Sequence, residues 1–236
     1  GDMSDIAPEK VEIRDRDEAV ARSLKGPAAV AGTVIALLFG SFQLFTAYAG
    51  AYPDLIQRSI HMAFAIVLGF LMYAATGKSP RSRPSIIDVL AMFLGLFVCM
   101  YAAVNYDRIM MNPGISSRWD LVLGIIATGL VLEMTRRILN WILPAIASAT
   151  ILYAFFGPYL PDALAHRGFS VDYILETLYM STSGLWGTVT GVSATVVAGF
   201  LIFGSILYYT GGGEIFVDLA KAIAGRSYGG PAKVSC

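Results

Sequence analysis

Long apolar runs alternate with short polar segments along most of this chain. Each run is about as long as the roughly 20 helical residues that cross a bilayer core about 30 Å thick. In chain order the runs cover residues 27–48, 59–76, 86–104, 120–137, 140–157 and 192–209. The pattern therefore predicts about six transmembrane helices.

Two further segments show a different periodicity. In residues 171–178 and 215–223, apolar side chains recur at helical spacing, while charged and polar side chains occupy the opposite face. Such a stripe is typical of a helix that lies along the membrane interface. We therefore predict an all-α, polytopic membrane protein with about six transmembrane helices and two amphipathic interfacial helices.

The composition agrees with a membrane protein. Charged residues make up 14% of the sequence and hydrophobic residues 56%, whereas an average globular domain has about 25% charged residues. The mean hydropathy is +0.64. The net charge is zero, which gives no electrostatic basis for binding nucleic acid. The two cysteines, Cys99 and Cys236, form neither a disulfide framework nor a metal-binding spacing.

The distribution of basic residues predicts the orientation in the membrane. If six helices alternate in direction, twelve lysines and arginines fall on the side of the N-terminus and four on the other side, with Lys10 in the far tail left out of the count. Because basic residues are enriched on the cytoplasmic side, we expect a cytoplasmic N-terminus and a location in the bacterial or archaeal cytoplasmic (inner) membrane. Residues 1–25 are polar, and we expect them to form a cytoplasmic tail rather than a cleavable signal.

The segment Leu132–Arg137 is a short charged interruption between two apolar runs. Its charged residues Glu133, Arg136 and Arg137 are spaced i, i+3 and i+4, which favours ion pairs at the membrane surface that anchor the helix end. A role in substrate binding is the alternative for these three residues. Asp88 lies at the N-terminal end of the third predicted helix, where the helix dipole favours a carboxylate.

The remaining polar candidates do not form a recognisable catalytic set. His61 opens the second apolar run, where ordinary hydrogen bonding and a proton relay are the alternatives. His166 lies in a loop without an evident metal-binding partner. Ser193 and Thr195 either pack against neighbouring helices or line a binding site. The glycine-rich segment 225–233 has neither the spacing nor the preceding strand of a phosphate-binding loop, and we do not expect an enzyme.

Several short motifs, taken in order, resemble a known transporter family. They are Phe42–Ala47, Gln57–His61, Leu132–Arg137, Phe203–Gly204, Thr210–Gly213, Asp218–Ala220 and Gly229–Val234. Over residues 25–236 the chain resembles the membrane subunit of a tripartite ATP-independent periplasmic (TRAP) transporter, and is most similar to the fused permeases of the TAXI branch. It departs from that pattern at Met134, where the family usually has alanine, and in its Ser-Cys ending.

The resemblance implies a division of the chain and a mode of action. Residues 26–137 would be a four-helix module like the small subunit. Residues 138–236 would be the start of the large subunit, with scaffold and arm helices but without the transport domain. Such transporters take a small organic acid from a periplasmic solute-binding protein and couple its import to sodium by an elevator movement. Sodium is the coupling ion, and no other cofactor is implied.

The resemblance also implies where the binding sites would be. The re-entrant hairpins that hold sodium and substrate would follow beyond Cys236, so neither a substrate-binding nor a sodium-binding residue is assigned within this sequence. The implied partners are the solute-binding protein, the lipid bilayer and the remainder of the large permease subunit. We expect residues 1–236 alone to enter the membrane but not to transport.

Two other classes of function remain as alternatives. A structural or assembly membrane protein without transport activity would show the same pattern of apolar runs. A membrane-embedded enzyme would need a cluster of His, Asp or Glu inside the predicted helices, and the sequence has none there.

Overall fold

The computed structural model describes residues 21–77, 79–161 and 163–224, and this part of the chain is helical without a regular strand. The helices are α1 Pro27–Ala49, α2 Asp54–Met72, α3 Ile86–Val104, α4 Tyr106–Met111, α5 Arg118–Ile138, α6 Ile142–Phe156, α7 Val171–Tyr179, α8 Thr188–Val192, α9 Ala198–Tyr209 and α10 Gly212–Ala224. A 3₁₀ turn, Gly157–Tyr159, extends α6, and a π-helical segment, Ser193–Val197, joins α8 to α9. The predictions for residues 1–20 of the tail and for the glycine-rich segment 225–233 lie outside the described residues.

Five helical segments are long and apolar enough to cross a membrane. They are α1, α2, α3, Ile142–Tyr159 and Thr188–Tyr209. The 21-residue helix α5 is not among them, because it carries charged residues close to both ends. The prediction of an all-α polytopic membrane protein is thus confirmed, and the crossing of α5 stays a prediction.

The predicted start of the second helix is wrong by five residues. We expected residue 59, but α2 begins at Asp54, directly after Pro53. An acidic residue in the first turn is favoured by the helix dipole, and Asp54 also pairs with Arg58 one turn later, at 2.6 Å. The charged residues Asp54 and Arg58 therefore belong to the first turns of α2, and not to the loop before it. As a result, His61 lies two turns inside α2 and does not open it.

The core is formed mainly by α2, α3 and α5. Half of the residues in the apolar part of α2 are buried. In α1, Ile142–Tyr159 and Thr188–Tyr209 most residues are not buried. The helices α2 and α3 pack closely at Gly95. A Cβ added at this glycine would lie only 2.4 Å from the side chain of Ile66. The buried core side chains include Leu55, Ile66, Phe70, Val98, Leu123, Tyr179 and Trp186.

Both predicted amphipathic segments are helical. The helix α7 buries Ile174, Leu175 and Tyr179, and Gly124 of α5 packs against Leu175 and Tyr179. On α10, Ile215 and Leu219 remain exposed. The position of either helix along a membrane interface stays a prediction.

The connection between α7 and α8 is a non-helical loop, residues 180–187, that reaches the centre of the bundle. Trp186 is 1% exposed and lies beside Ile66 and Ala127, well inside α2 and α5. Its Nε1 donates to Tyr179 O at 2.6 Å, and the Tyr179 hydroxyl donates to Val98 O at 2.8 Å. Irregular backbone is tolerated at membrane depth only where protein or a water-filled cavity surrounds it. In this loop Trp186 and Gly187 are buried in protein, and Ser183 is exposed.

Candidate functional site

Charged side chains gather at the two ends of α3, and a third polar group joins α1 and α2 to the π-helical segment. We call the first two the Asp88 cluster (Arg22, Asp88, Glu133, Arg136, Arg137) and the Asp120 cluster (Tyr101, Arg108, Ser117, Asp120). The third, which we call the polar seam, consists of Gln43, Thr46, Gln57, His61, Ser193 and the Ala194 carbonyl.

Asp88 occupies the first turn of α3 as part of a capping box. The backbone N–H and the hydroxyl of Ser85 donate to its Oδ2 at 2.9 and 2.7 Å, and the Asp88 N–H donates to Ser85 Oγ at 3.3 Å. Arg22 also donates to Oδ2, and Arg137 Nη1 donates to Oδ1 at 2.6 Å. The three charged side chains are 0–2% exposed. The predicted role at the helix dipole therefore understates Asp88, which is also the shared carboxylate of two buried arginines.

Arg22 closes the C-terminal end of α2. Its Nη1 donates to Phe70 O at 2.7 Å and to Leu71 O at 3.1 Å, and its backbone N–H donates to Met72 O at 2.8 Å. The last carbonyls of a helix have no partner within the helix, and the guanidinium supplies donors for two of them. These contacts hold Arg22 in the bundle, and the cytoplasmic tail of residues 1–25 stays a prediction.

The charged segment at the end of α5 forms both ion pairs that its spacing suggests. Arg136 Nε and Nη2 each lie 2.7 Å from a carboxylate oxygen of Glu133, and Arg137 Nε lies 2.8 Å from Glu133 Oε1. Arg136 also stacks on Trp141, with its guanidinium carbon 5.1 Å from the ring centre. Arg137 is buried within the protein and shared with Asp88. The anchoring role of these residues stays a prediction.

The Asp120 cluster, at the other end of α3, also combines a capping box with an ion pair to arginine. Ser117 and Asp120 form a second capping box, at the start of α5. Arg108 binds the carboxylate through two nitrogens, at 2.9 and 2.7 Å, and the Tyr101 hydroxyl donates to it at 2.8 Å. The hydrogen bonds to Asp120 raise the pKa of the Arg108 guanidinium. Unlike the arginines at Asp88, the Arg108 side chain is 37% exposed.

The polar seam connects the first and second halves of the chain. Gln43 Nε2 lies 2.7 Å from His61 Nδ1, and His61 Nε2 lies 3.2 Å from Ser193 Oγ. The orientation assigned to the Gln43 amide makes Nδ1 the acceptor, and with that assignment the ring proton lies on Nε2, facing Ser193. His61 is 8% exposed and uses both ring nitrogens. This geometry fits the hydrogen-bonding interpretation of His61.

A second set of bonds in the seam involves Gln57. Its Nε2 donates to Thr46 Oγ1 at 3.2 Å and to the carbonyl of Ala194 at 3.3 Å. The Thr46 hydroxyl donates to Gln43 O at 3.2 Å. The contact between Gln57 and Ala194 joins residues 137 positions apart, so no local sequence pattern indicates it.

Two cavities flank the seam. One of about 350 Å³ is lined by Ala36, Phe39, His61, Ser193 and Leu201, among others. The other, of about 250 Å³, is lined by Tyr52, Asp54, Gln57, Arg58 and Thr195, among others. Of the two candidate hydroxyls, Ser193 is therefore tied to His61, and Thr195 lines a cavity while donating to Gly191 O at 2.8 Å.

The polar side chains of these clusters are engaged with one another and with backbone carbonyls. Among the described residues, no three His, Cys, Asp or Glu side chains lie close enough together to hold a metal ion. His166 supports its own loop, with Nε2 3.0 Å from Tyr153 O and Nδ1 accepting the Gly168 N–H at 3.1 Å. The two capping boxes were not predicted, although the sequence contains a signal for them. In both places Ser-x-x-Asp precedes an apolar run.

Residues 125–236 match the family model of the tripartite ATP-independent periplasmic transporter, DctM component. The match begins within α5 and covers slightly under half of the chain. No curated protein and no solved structure matches significantly. The family is one of transporter components rather than enzymes. Together with the apolar helices, the match indicates a multi-pass membrane protein whose second half is similar to a TRAP transporter permease component.

Proposed function

We propose that this chain is part of the membrane permease component of a TRAP-type, binding-protein-dependent secondary transporter. The observation that carries the proposal is the match of residues 125–236 to the DctM component, since this stretch contains Ile142–Tyr159 and Thr188–Tyr209, two of the five helical segments apolar enough to cross a membrane. In its finer form, the proposal is a sodium-coupled permease of the TAXI type. It would import a small organic acid delivered by a periplasmic solute-binding protein.

Within such a permease we assign this chain mainly to the scaffold. Asp88, Asp120 and Glu133, the carboxylates of α3 and α5, are all bound to arginines. A carboxylate held in this way stabilises a fixed structure and is not available to bind and release a transported ion. We therefore place the sodium and substrate sites, and the elevator movement, outside the residues described here.

We also propose that residues 26–137 and 138–236 are two modules of this scaffold. The second module inserts Trp186 between helices of the first and binds it through the polar seam. Such contacts support modules that are held as one body rather than sliding past each other. The alternative is a structural or assembly membrane protein, for which the same packing would suffice.

The proposed orientation can be tested by labelling single cysteines. In a Cys236→Ser background, we expect Asn112→Cys to react with a membrane-impermeant maleimide on intact cells, and Ser82→Cys to react only after permeabilisation. Both positions are exposed in the structure, and they flank α3 on opposite sides. The unmodified background controls for Cys99, which is buried. Labelling of position 82 but not 112 on intact cells would reverse the proposed orientation.

The transport proposal is tested by reconstitution. We expect the permease that contains this chain, in liposomes with its solute-binding protein and an inward sodium gradient, to accumulate a radiolabelled organic acid. Without the gradient or without the binding protein, uptake should fall to background. Liposomes with residues 1–236 alone should show no sodium-driven uptake, because we assign the ion sites elsewhere. If the permease itself shows no uptake with any organic acid tested, the structural or assembly function is favoured.

A further inference from the structure

The helical segment Thr188–Tyr209 is interrupted by one irregular turn. In the π-helical segment Ser193–Val197, the Ala198 N–H bonds to Ser193 O, five residues earlier, and also to Thr195 O, three residues earlier. A regular α-helix would direct this N–H to Ala194 O, four residues earlier. A π turn accommodates one extra residue and is rare, and it occurs frequently at functional sites.

Two side chains of α2 bind the first two residues of this π turn. His61 Nε2 lies 3.2 Å from Ser193 Oγ, and Gln57 Nε2 donates to Ala194 O at 3.3 Å. Gln57 therefore supplies a donor to the carbonyl from which the Ala198 N–H has been diverted. Gln57, His61 and Ala194 are all buried, so an unpaired polar group here would be costly.

The helix beyond the π turn has room to rotate. Cavities lie on both sides of the segment, and α9 is mostly exposed. Within the described part of the chain, an added Cβ at Gly199 or Gly204 would meet no atom within 4 Å. α9 contacts α1 along the cavity lined by Ala36, Phe39 and Leu201. None of its side chains is fully buried, so this packing restrains its rotation only weakly and the polar contacts of the seam add to it.

We propose that Gln57 and His61 select the π-helical register of Ser193–Val197 and thereby set the rotation of α9. If the extra residue were absorbed into a regular α-helix, α9 would turn by about 100° and shift by about 1.5 Å along its axis. The two registers present different faces of α9 to its neighbours. The polar seam and the π turn together form a joint with two states, and the state of this joint sets the rotation of α9 relative to α2.

Cysteine cross-linking reports which register is present. Ala36 and Leu201 line the same cavity, whereas the neighbouring Phe200 is 70% exposed. In a Cys236→Ser background, we expect Ala36→Cys to cross-link with Leu201→Cys through a short bis-methanethiosulfonate reagent, and not with Phe200→Cys. In the α register, residue 200 would take the place that residue 201 holds in the π register.

The deciding variant replaces the polar contacts of the seam by leucine: Gln43→Leu, Gln57→Leu and His61→Leu. Gln43 is included so that it is not left buried opposite an apolar partner. We expect this full-length variant to lose the cross-link between positions 36 and 201 and to gain one between 36 and 200. A folded variant that keeps the wild-type pattern would overturn the proposal.

A deletion provides the matched control. Removing Val196 takes out the extra residue, so a regular helix then gives α9 its native rotation. We expect the deletion variant to cross-link between 36 and 201 whether or not the three leucines are present. If the leucine variant does not fold, its folding should be rescued by the deletion. Failure of that rescue would mean that the seam acts otherwise than through register, and would reject the proposal. None of these readouts depends on transport.

Discussion

Replacing Asp88 by alanine should destabilise the folded chain by about 3–5 kcal/mol, the range found when one partner of a buried ion pair is removed. The substitution leaves the guanidinium groups of Arg22 and Arg137 without their shared carboxylate, and both side chains are at most 2% exposed. It also removes one half of the capping box with Ser85. No other described carboxylate is within ion-pair distance of Arg22, so the loss cannot be compensated there.

The measurement is the free energy of unfolding of the full chain in detergent, for instance by titration with SDS. The exposed Asp107→Ala controls for loss of a carboxylate and should change stability by less than about 0.5 kcal/mol. Asp120→Ala should cost less than Asp88→Ala, because Arg108 is 37% exposed and can turn toward water or headgroups. Equal effects of Asp88→Ala and Asp107→Ala would show that the Asp88 cluster contributes nothing to stability.

Replacing Trp186 by alanine should cost about 3–5 kcal/mol, as for other large aromatic residues removed from a core. The ring is 1% exposed and fills the space between α2, α3 and α5. Its loss would leave a cavity in the centre of the bundle and an unpaired carbonyl at Tyr179, which now accepts the indole N–H. The loop of residues 180–187 would then lose the side chain that holds it in place.

Two variants separate size from hydrogen bonding and from the mere loss of a tryptophan. Trp186→Phe keeps an aromatic ring without the N–H and should cost less than the alanine variant, since it forfeits mainly one hydrogen bond worth about 1 kcal/mol. Trp119→Ala makes the same truncation at a side chain that is 73% exposed and should be tolerated. The melting of helical circular dichroism avoids a readout based on tryptophan. A melt of Trp186→Ala equal to that of Trp119→Ala would contradict the central role of Trp186.

The helices were predictable because a helix that crosses a membrane needs a continuous apolar run of about 20 residues, and such runs are visible in the sequence. The third predicted helix matches Ile86–Val104, and the first begins at Pro27 as expected. The start of α2 was missed because Asp54 and Arg58 lower the local hydropathy while favouring the first helical turn. Pro53 followed by an acidic residue is a local signal for a helix start, but it lies outside the apolar run.

The contacts that organise the site were not predictable from single segments. Arg22 meets Asp88 and the end of α2 across 48–66 positions, and His61 meets Ser193 across 132. The π turn has no sequence signature of its own, since it depends on donors from another helix. The loop before α8 is similar: an added Cβ at Gly184 would lie 2.4 Å from the backbone of Leu178, a close approach that only the folded chain reveals.

The spacing of the two charged clusters has a consequence for the lipid environment. Asp88 and Tyr101, which bind the two clusters to α3, are separated by about 20 Å along the helix axis. A hydrocarbon layer about 30 Å thick exceeds this distance, so hydrophobic mismatch would place the clusters below the headgroups. The sealed Asp88 end tolerates this, whereas Arg108 at the other end is 37% exposed and has to extend toward the headgroups to keep its charge out of the acyl chains. Lengthening the acyl chains should therefore strain the Asp120 end first.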